Sequence, residues 1–175
     1  MEFPIWKQIT KKQDDSSSLI TGFLKETALF QGFKNRTLRT VSAFVHKRSY
    51  EEGEIVFEQG QAGAGLYIIM SGRVRIVSRK NDIELTLAEI GEKAFFGELS
   101  LFTDAPRTAT AVAEEKSVLL GFFQPDLKEL VERKPKIGNA IIMSLARIIA
   151  QRLADTNEVL EKAYIKGKKK HENRE

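Results

Sequence analysis

Phe95-Phe96-Gly97-Glu98-Leu99-Ser100-Leu101-Phe102-Thr103-Asp104-Ala105-Pro106-Arg107-Thr108-Ala109-Thr110-Ala111-Val112-Ala113 is the stretch around which the rest of the chain can be placed. Gly97 has no Cβ and so permits a sharp turn and a close approach of backbone to another group. Glu98–Phe102 is long enough for one or two helical turns, whose first N–H groups lack intrahelical partners. Those donors and the positive end of the peptide dipoles favour an anion. Pro106 fixes the backbone immediately before a guanidinium, and Arg107 begins an alternating stretch, Thr108 to Val112, that reads as a strand. A short helix start and an arginine on a neighbouring strand can therefore converge on one small anion. The arginine fork suits two phosphate oxygens better than an ammonium does.

Glu98 adds the second requirement. A carboxylate beside a phosphate site repels the ligand unless it meets a hydroxyl donor. A ligand carrying both an anionic phosphate and a sugar hydroxyl satisfies Arg107 and Glu98 together, and a nucleotide has both.

Phe-Gly-Glu-Leu-Ser-Leu followed after a short insert by Pro-Arg-Thr-Ala-Thr resembles the phosphate-binding cassette of cyclic-nucleotide-binding domains. These occur in regulatory subunits of cyclic-AMP-dependent kinase, in nucleotide-gated channels and in bacterial catabolite-activator-type regulators. The resemblance implies that Glu98 takes the ribose 2′-hydroxyl and Arg107 the cyclic phosphate. Backbone around Gly97, Leu99 and Ser100 would complete the cradle, with Thr108 and Ala109 beside phosphate and base. In the bacterial regulators the long C-terminal helix forms the dimer seam and its side chains close over the base. Counting forward from Arg107 without gaps puts Thr156 and Asn157 at that place. The resemblance leaves cyclic AMP and cyclic GMP both open, with cyclic AMP ahead. It also leaves open an interaction module whose pocket is empty. Gly63-Ala64-Gly65 stands where many relatives carry an acidic loop residue, which implies a looser wall on that side.

The implied fold is α+β: an antiparallel jelly roll or barrel flanked by N-terminal helices and a long C-terminal helix. Residues 1–15 read as an N-terminal extension in which Trp6, with Phe3, Ile5 and Ile9, packs against the domain or a partner, and Asp14-Asp15-Ser16-Ser17-Ser18 as a hinge and helix cap. The nucleotide-binding domain spans 16–165, with helices over 16–46, a β-barrel over 48–123 and C-terminal helices over 124–165. Within the first segment Leu19, Ile20, Phe23 and Leu24 fall at helical spacing, and Arg36 to His46 reads as a second helix. Tyr50–Phe57, Leu66–Met70, Arg73–Ser78, Ile83–Leu87 and Ser117–Phe123 read as short strands between Gly- and Asn-containing turns. Arg73 and Arg75 alternate with Val74 and Ile76 and are expected to face solvent. Asp126–Arg133 and Ile137–Ile165 read as helices, and 166–175 as a solvated basic tail.

Composition narrows the remaining choices. The chain has 175 residues, 28 basic and 24 acidic side chains and no cysteine, which excludes disulfides, thiolate metal sites and a cysteine nucleophile. From Val131 onward there are 11 basic and 6 acidic residues, so the positive charge belongs to the C-terminal segment. No unbroken apolar run approaches the roughly 18 residues of a membrane span, and no secretory signal opens the chain. A cytoplasmic protein is expected. His46 and His171 stand in no metal-ligand or triad pattern, and no Walker loop or hydrolytic dyad is present. The expectation is a receptor, not an enzyme, with no cofactor beyond its nucleotide and no metal. About ten residues follow the long helix, too few for a helix-turn-helix, so no specific DNA binding is expected. A homodimer through 137–165 and an unidentified protein partner are the expected assemblies.

Overall fold

The structure, a computed structural model, describes residues 16–81 and 83–172. The expectation for Trp6 and the Asp14-Asp15 part of the hinge lie outside the described residues, and Ser16, Ser17 and Ser18, read as the rest of that hinge and cap, form the first turn of a helix. In chain order the elements are helix α1 over 16–25, α2 (Asn35–Val41), β1 (His46–Tyr50), β2 (Ile55–Phe57), β3 (Gly65–Ser71), β4 (Val74–Lys80) and β5 (Ile83–Ile90). There follow β6 (Phe95–Phe96), β7 (Thr110–Ala113), β8 (Ser117–Phe123), α3 (Gln124–Arg133) and α4 (Pro135–Glu172). Short 3₁₀ turns occupy Ala28–Phe30, Ser42–Phe44 and Glu98–Leu101.

The strands form two four-stranded antiparallel sheets, in the orders β1-β8-β3-β6 and β2-β7-β4-β5. This is the jelly-roll arrangement expected from the spacing of short strands and turns. β3 shows why the pattern forces two layers. Leu66, Ile68 and Met70 point to one side, into a core shared with the helices, while Tyr67 and Ile69 point between the sheets. In β8, Leu120 and Phe122 join the helical core and Leu119 joins the inter-sheet one. A strand with apolar residues on both faces must be covered on both. α1, α2, α3 and the first half of α4 supply the outer cover through Leu24, Leu38, Leu130, Ile141 and Leu145, all fully buried.

Local chemistry sets the helix ends. α3 begins where Pro125 stands in the first turn and the Asp126 carboxylate accepts the Phe123 N–H at 3.0 Å, a side-chain answer to an orphan donor. The same carboxylate meets His46 Nε2 at 3.0 Å, tying α3 to the start of β1. α3 and α4 cross closely at Gly138, where a Cβ would stand 2.7 Å from Val131 Cα. The Ser144 hydroxyl donates to the Leu29 carbonyl at 2.6 Å, so α4 is also fastened to the N-terminal helical region.

Three boundaries differ from the sequence reading. The second helix stops at Val41 and continues as a 3₁₀ turn to Phe44, because His46 is needed in β1 opposite Gly121. The strand expected from Thr108 begins at Thr110. Arg107 instead lies against the 60–62 loop, its N–H donating to the Gln61 carbonyl and its carbonyl accepting from the Gly60 N–H, both at 2.8 Å. α4 does not stop at Ile165 but continues to Glu172, through the stretch read as a tail. Arg73 is exposed and Arg75 half-exposed, as the alternation implied.

Among the described residues, Pro135–Lys166 of α4 meets the length and composition of a membrane-crossing helix, at a mean hydropathy of 1.2. It does so although no unbroken apolar run is that long. Part of that apolarity serves the fold, since Ile141 and Leu145 are buried in the helical core and Ile137, Ile142 and Ile148 pack against it.

Candidate functional site

The site is built where β6 runs out of its sheet. Gly97 turns the chain in the left-handed region, φ +74°, which a side chain rarely adopts. The 3₁₀ turn Glu98–Leu101 follows, with Ser100 and Leu101 buried beneath it. Pro106 then pairs with Ala62 across an isolated bridge, and this delivers Arg107 to the floor of the cavity. Arg107 is only 7% exposed. Its guanidinium donates from Nη1 to the Gly97 carbonyl at 3.0 Å and from Nη2 to the Gly65 carbonyl at 2.8 Å. It lies over the Phe57 ring at 3.9 Å. Burial pulls its pKa below the ordinary arginine value, while Tyr67 and the Glu98 carboxylate act in the opposite direction. Its Nε is buried with no partner. A buried unpaired donor is costly.

The 63–65 loop is closely fitted, not loose. A Cβ on Gly63 would stand 1.9 Å from Ser100 Oγ, and one on Gly65 would stand 2.3 Å from the Phe122 carbonyl. Small residues here let the Gly65 carbonyl reach Arg107 in the place of a side-chain acid.

The cavity measures about 410 Å³. Gly97, Glu98, Leu99, Ser100, Arg107, Thr108 and Ala109 all line it, so the cassette residues singled out in the sequence come together. Facing them is an apolar wall of Phe57, Ile76, Ala88, Ile90 and Phe95. The combination offers an apolar wall together with a cation and a carboxylate. Such a division suits a ligand with an aromatic base and a charged sugar-phosphate.

Glu98 is not paired with Arg107. Its Oε1 accepts from Arg152 Nη1 of α4 at 2.7 Å. Arg152 Nη2 also donates to the Phe95 carbonyl at 3.0 Å, and the guanidinium stacks on the Phe95 ring at 4.5 Å. Arg152 lines the cavity and was missed from sequence. The available signal was a cation between Ile149 and Leu153, in the part of the helix that carries an apolar stripe. Thr156 and Asn157 lie one turn further along α4, exposed and outside the cavity lining, with the Thr156 hydroxyl donating to the Arg152 carbonyl at 2.7 Å. Among the described residues no group of three or more His, Asp or Glu side chains is arranged to hold a metal ion.

A jelly roll interrupted by this cassette, with a buried arginine at a cavity that α4 borders through Arg152, has the form of a small-ligand-binding domain. The chain belongs to the cyclic nucleotide-binding domain family, whose model matches residues 47–134. It is 33% identical over 139 residues to the cyclic AMP receptor protein of Thermus thermophilus, an alignment covering 79% of this chain and 62% of that protein. It is 30% identical to the type II regulatory subunit of cAMP-dependent protein kinase from Drosophila melanogaster, over 57% of this chain and 26% of that one. The crystal structure of Thermus thermophilus catabolite activator protein superposes with a TM-score of 0.71 at 33% identity, covering 77% of this chain and 62% of that one. The chain thus spans less than two thirds of the length of these relatives.

Proposed function

We propose that the chain is a cyclic-nucleotide sensor, with cyclic AMP ahead of cyclic GMP, that passes ligand occupancy to its long C-terminal helix. The observation that carries this reading is the buried Arg107 in a cavity shared with a carboxylate that α4 already grips. The ligand phosphate takes Arg107 and the ribose hydroxyl takes Glu98. Because Glu98 is held by Arg152, a hydroxyl arriving at that carboxylate must share or displace the contact that fastens α4 to the cassette. The cassette and helix therefore rearrange together, and the size of the response is set by the ligand's differential affinity for the two arrangements. Thr156 and Asn157 reach the base only if α4 moves, or if a second copy presents them.

Output through a homodimer fits the same helix. Leu153, Val159, Leu160 and Tyr164 of α4 are 61–75% exposed, and an apolar set of this kind at helical spacing suits a partner helix. The relatives' names support a regulatory, non-enzymatic role.

A second reading has its own support. The Arg107 Nη groups and the Glu98 carboxylate are already satisfied within the protein, as in an interaction module that needs no ligand. Thermal denaturation with cyclic AMP, cyclic GMP and linear AMP separates the two, since a ligand for the folded state alone raises the melting temperature. A rise with a cyclic nucleotide and not with AMP supports the sensor, and no rise with any of them supports the module.

A further inference from the structure

We propose that the groove between α1 and α2, on the helical side of the molecule, is a docking site for an acidic segment of a protein partner. The groove has a volume of about 560 Å³, and Ser18, Thr21, Lys25, Asn35, Arg36 and Arg39 line it. Three of these side chains are cations and none is an acid. Lys25, Arg36 and Arg39 are exposed, and none has a salt-bridge or side-chain hydrogen-bond partner among the described residues. The nearby acid Glu26 is already taken by Lys93 at 2.7 Å.

Arg36 and Arg39 stand three residues apart on α2, on one face, where like charges weaken a helix. α2 is only seven residues long, so it has little helical stability of its own to set against that repulsion. Lys25, at the end of α1, brings a third positive charge to the same groove. An anion seated among the three relieves this repulsion. Ser18 and Asn35 offer polar groups at the rim, and the Thr21 hydroxyl oxygen can accept from a peptide N–H.

The scale selects the partner. Recognition of an anionic membrane surface takes clusters of about four to eight cations, and a nucleic acid needs a broad basic stripe. Here the chain before Val131 carries 17 basic and 18 acidic residues, and three of the basic ones line this concave groove. Two or three neighbouring carboxylates on an extended peptide match that charge and shape. The groove contributes nothing to the nucleotide cavity, so this surface stands or falls apart from the sensor reading.

The test is fluorescence anisotropy of labelled hexaglutamate and hexaglutamine peptides with the full chain. The wild type is expected to bind hexaglutamate and not hexaglutamine. Arg36→Glu/Arg39→Glu, and separately Lys25→Glu, are expected to weaken binding at least about tenfold. Lys47→Glu/Arg48→Glu on exposed β1 is expected to leave it unchanged. Circular dichroism checks that each variant is folded. Absence of binding overturns the proposal. So does an equal loss in the β1 variant, which would indicate diffuse attraction. Tighter capture of phosphatidylserine vesicles or single-stranded RNA through the same arginines also overturns it in favour of another class of partner.

Discussion

Arg152 reaches from α4 to the Glu98 carboxylate at 2.7 Å, and its second nitrogen holds the Phe95 carbonyl at 3.0 Å. The first residue of the 3₁₀ turn is thereby joined to a helix that begins 37 positions later in the chain, at Pro135. Glu98 is 13% exposed at its side chain and Arg152 45%, so the pair is partly screened and worth about 1 kcal/mol of stability. Its larger consequence is positional. Arg152→Ala is expected to raise amide hydrogen exchange along α4 beyond Ile148. It is also expected to abolish any change in that exchange produced by cyclic AMP. An unchanged exchange pattern would remove Arg152 from the coupling.

Arg107→Ala removes the cation at the cavity floor and the support of two backbone carbonyls. Cyclic-nucleotide affinity is expected to fall by roughly 2–4 kcal/mol, the cost of stripping one partner from a buried charge pair. Arg107→Lys should recover only part of it, since one ammonium cannot span the Gly97 and Gly65 carbonyls in the way the planar fork does. Isothermal titration calorimetry measures both, and unchanged affinity in Arg107→Ala would refute the assignment.

Gly138→Ala tests the crossing of α3 and α4. The added methyl meets Val131 backbone atoms at 2.7–2.8 Å, and backbone cannot step aside as a flexible side chain can. A loss of about 1–3 kcal/mol in urea unfolding is expected, typical of overpacking. The same variant should shift the helix that carries Arg152 and so weaken its contact with Glu98.

Tyr50 gives a pH dependence. Burial, with the neighbouring Tyr67, raises its pKa from 10.0 to about 12. The folded state therefore keeps the phenol proton over a range where the unfolded chain releases it. Stability from this source is complete below pH 10 and declines as pH rises toward about 12. Chemical denaturation between pH 9 and pH 12, as a rough span, should show a steeper decline for the wild type than for Tyr50→Phe.

Much of the fold was legible because it is written locally. Glycines at turns and two-residue alternation located the strands, and β3 could be recognised as buried on both faces from its unbroken apolar run. The cassette was legible for the same reason: Gly97, Glu98, Pro106 and Arg107 act through a turn, a helix start and a fixed backbone angle. Helix ends were less so. His46 looked helical by spacing, but pairing with Gly121 in the sheet outweighed a weak local preference.

The amino-acid sequence by itself determined the jelly roll, the family through the motif it resembles, and the cassette residues that line the cavity, because neighbouring residues impose those backbone shapes on one another. Only the tertiary structure decided who holds Glu98. That pairing depends on the angle at which α4 leaves its crossing with α3 at Gly138, and on the Ser144 bond to Leu29 that fixes the helix in place. Neither has a counterpart in local spacing. A one-turn difference in the path of α4 separates Arg152, which reaches the cavity, from Thr156, which does not.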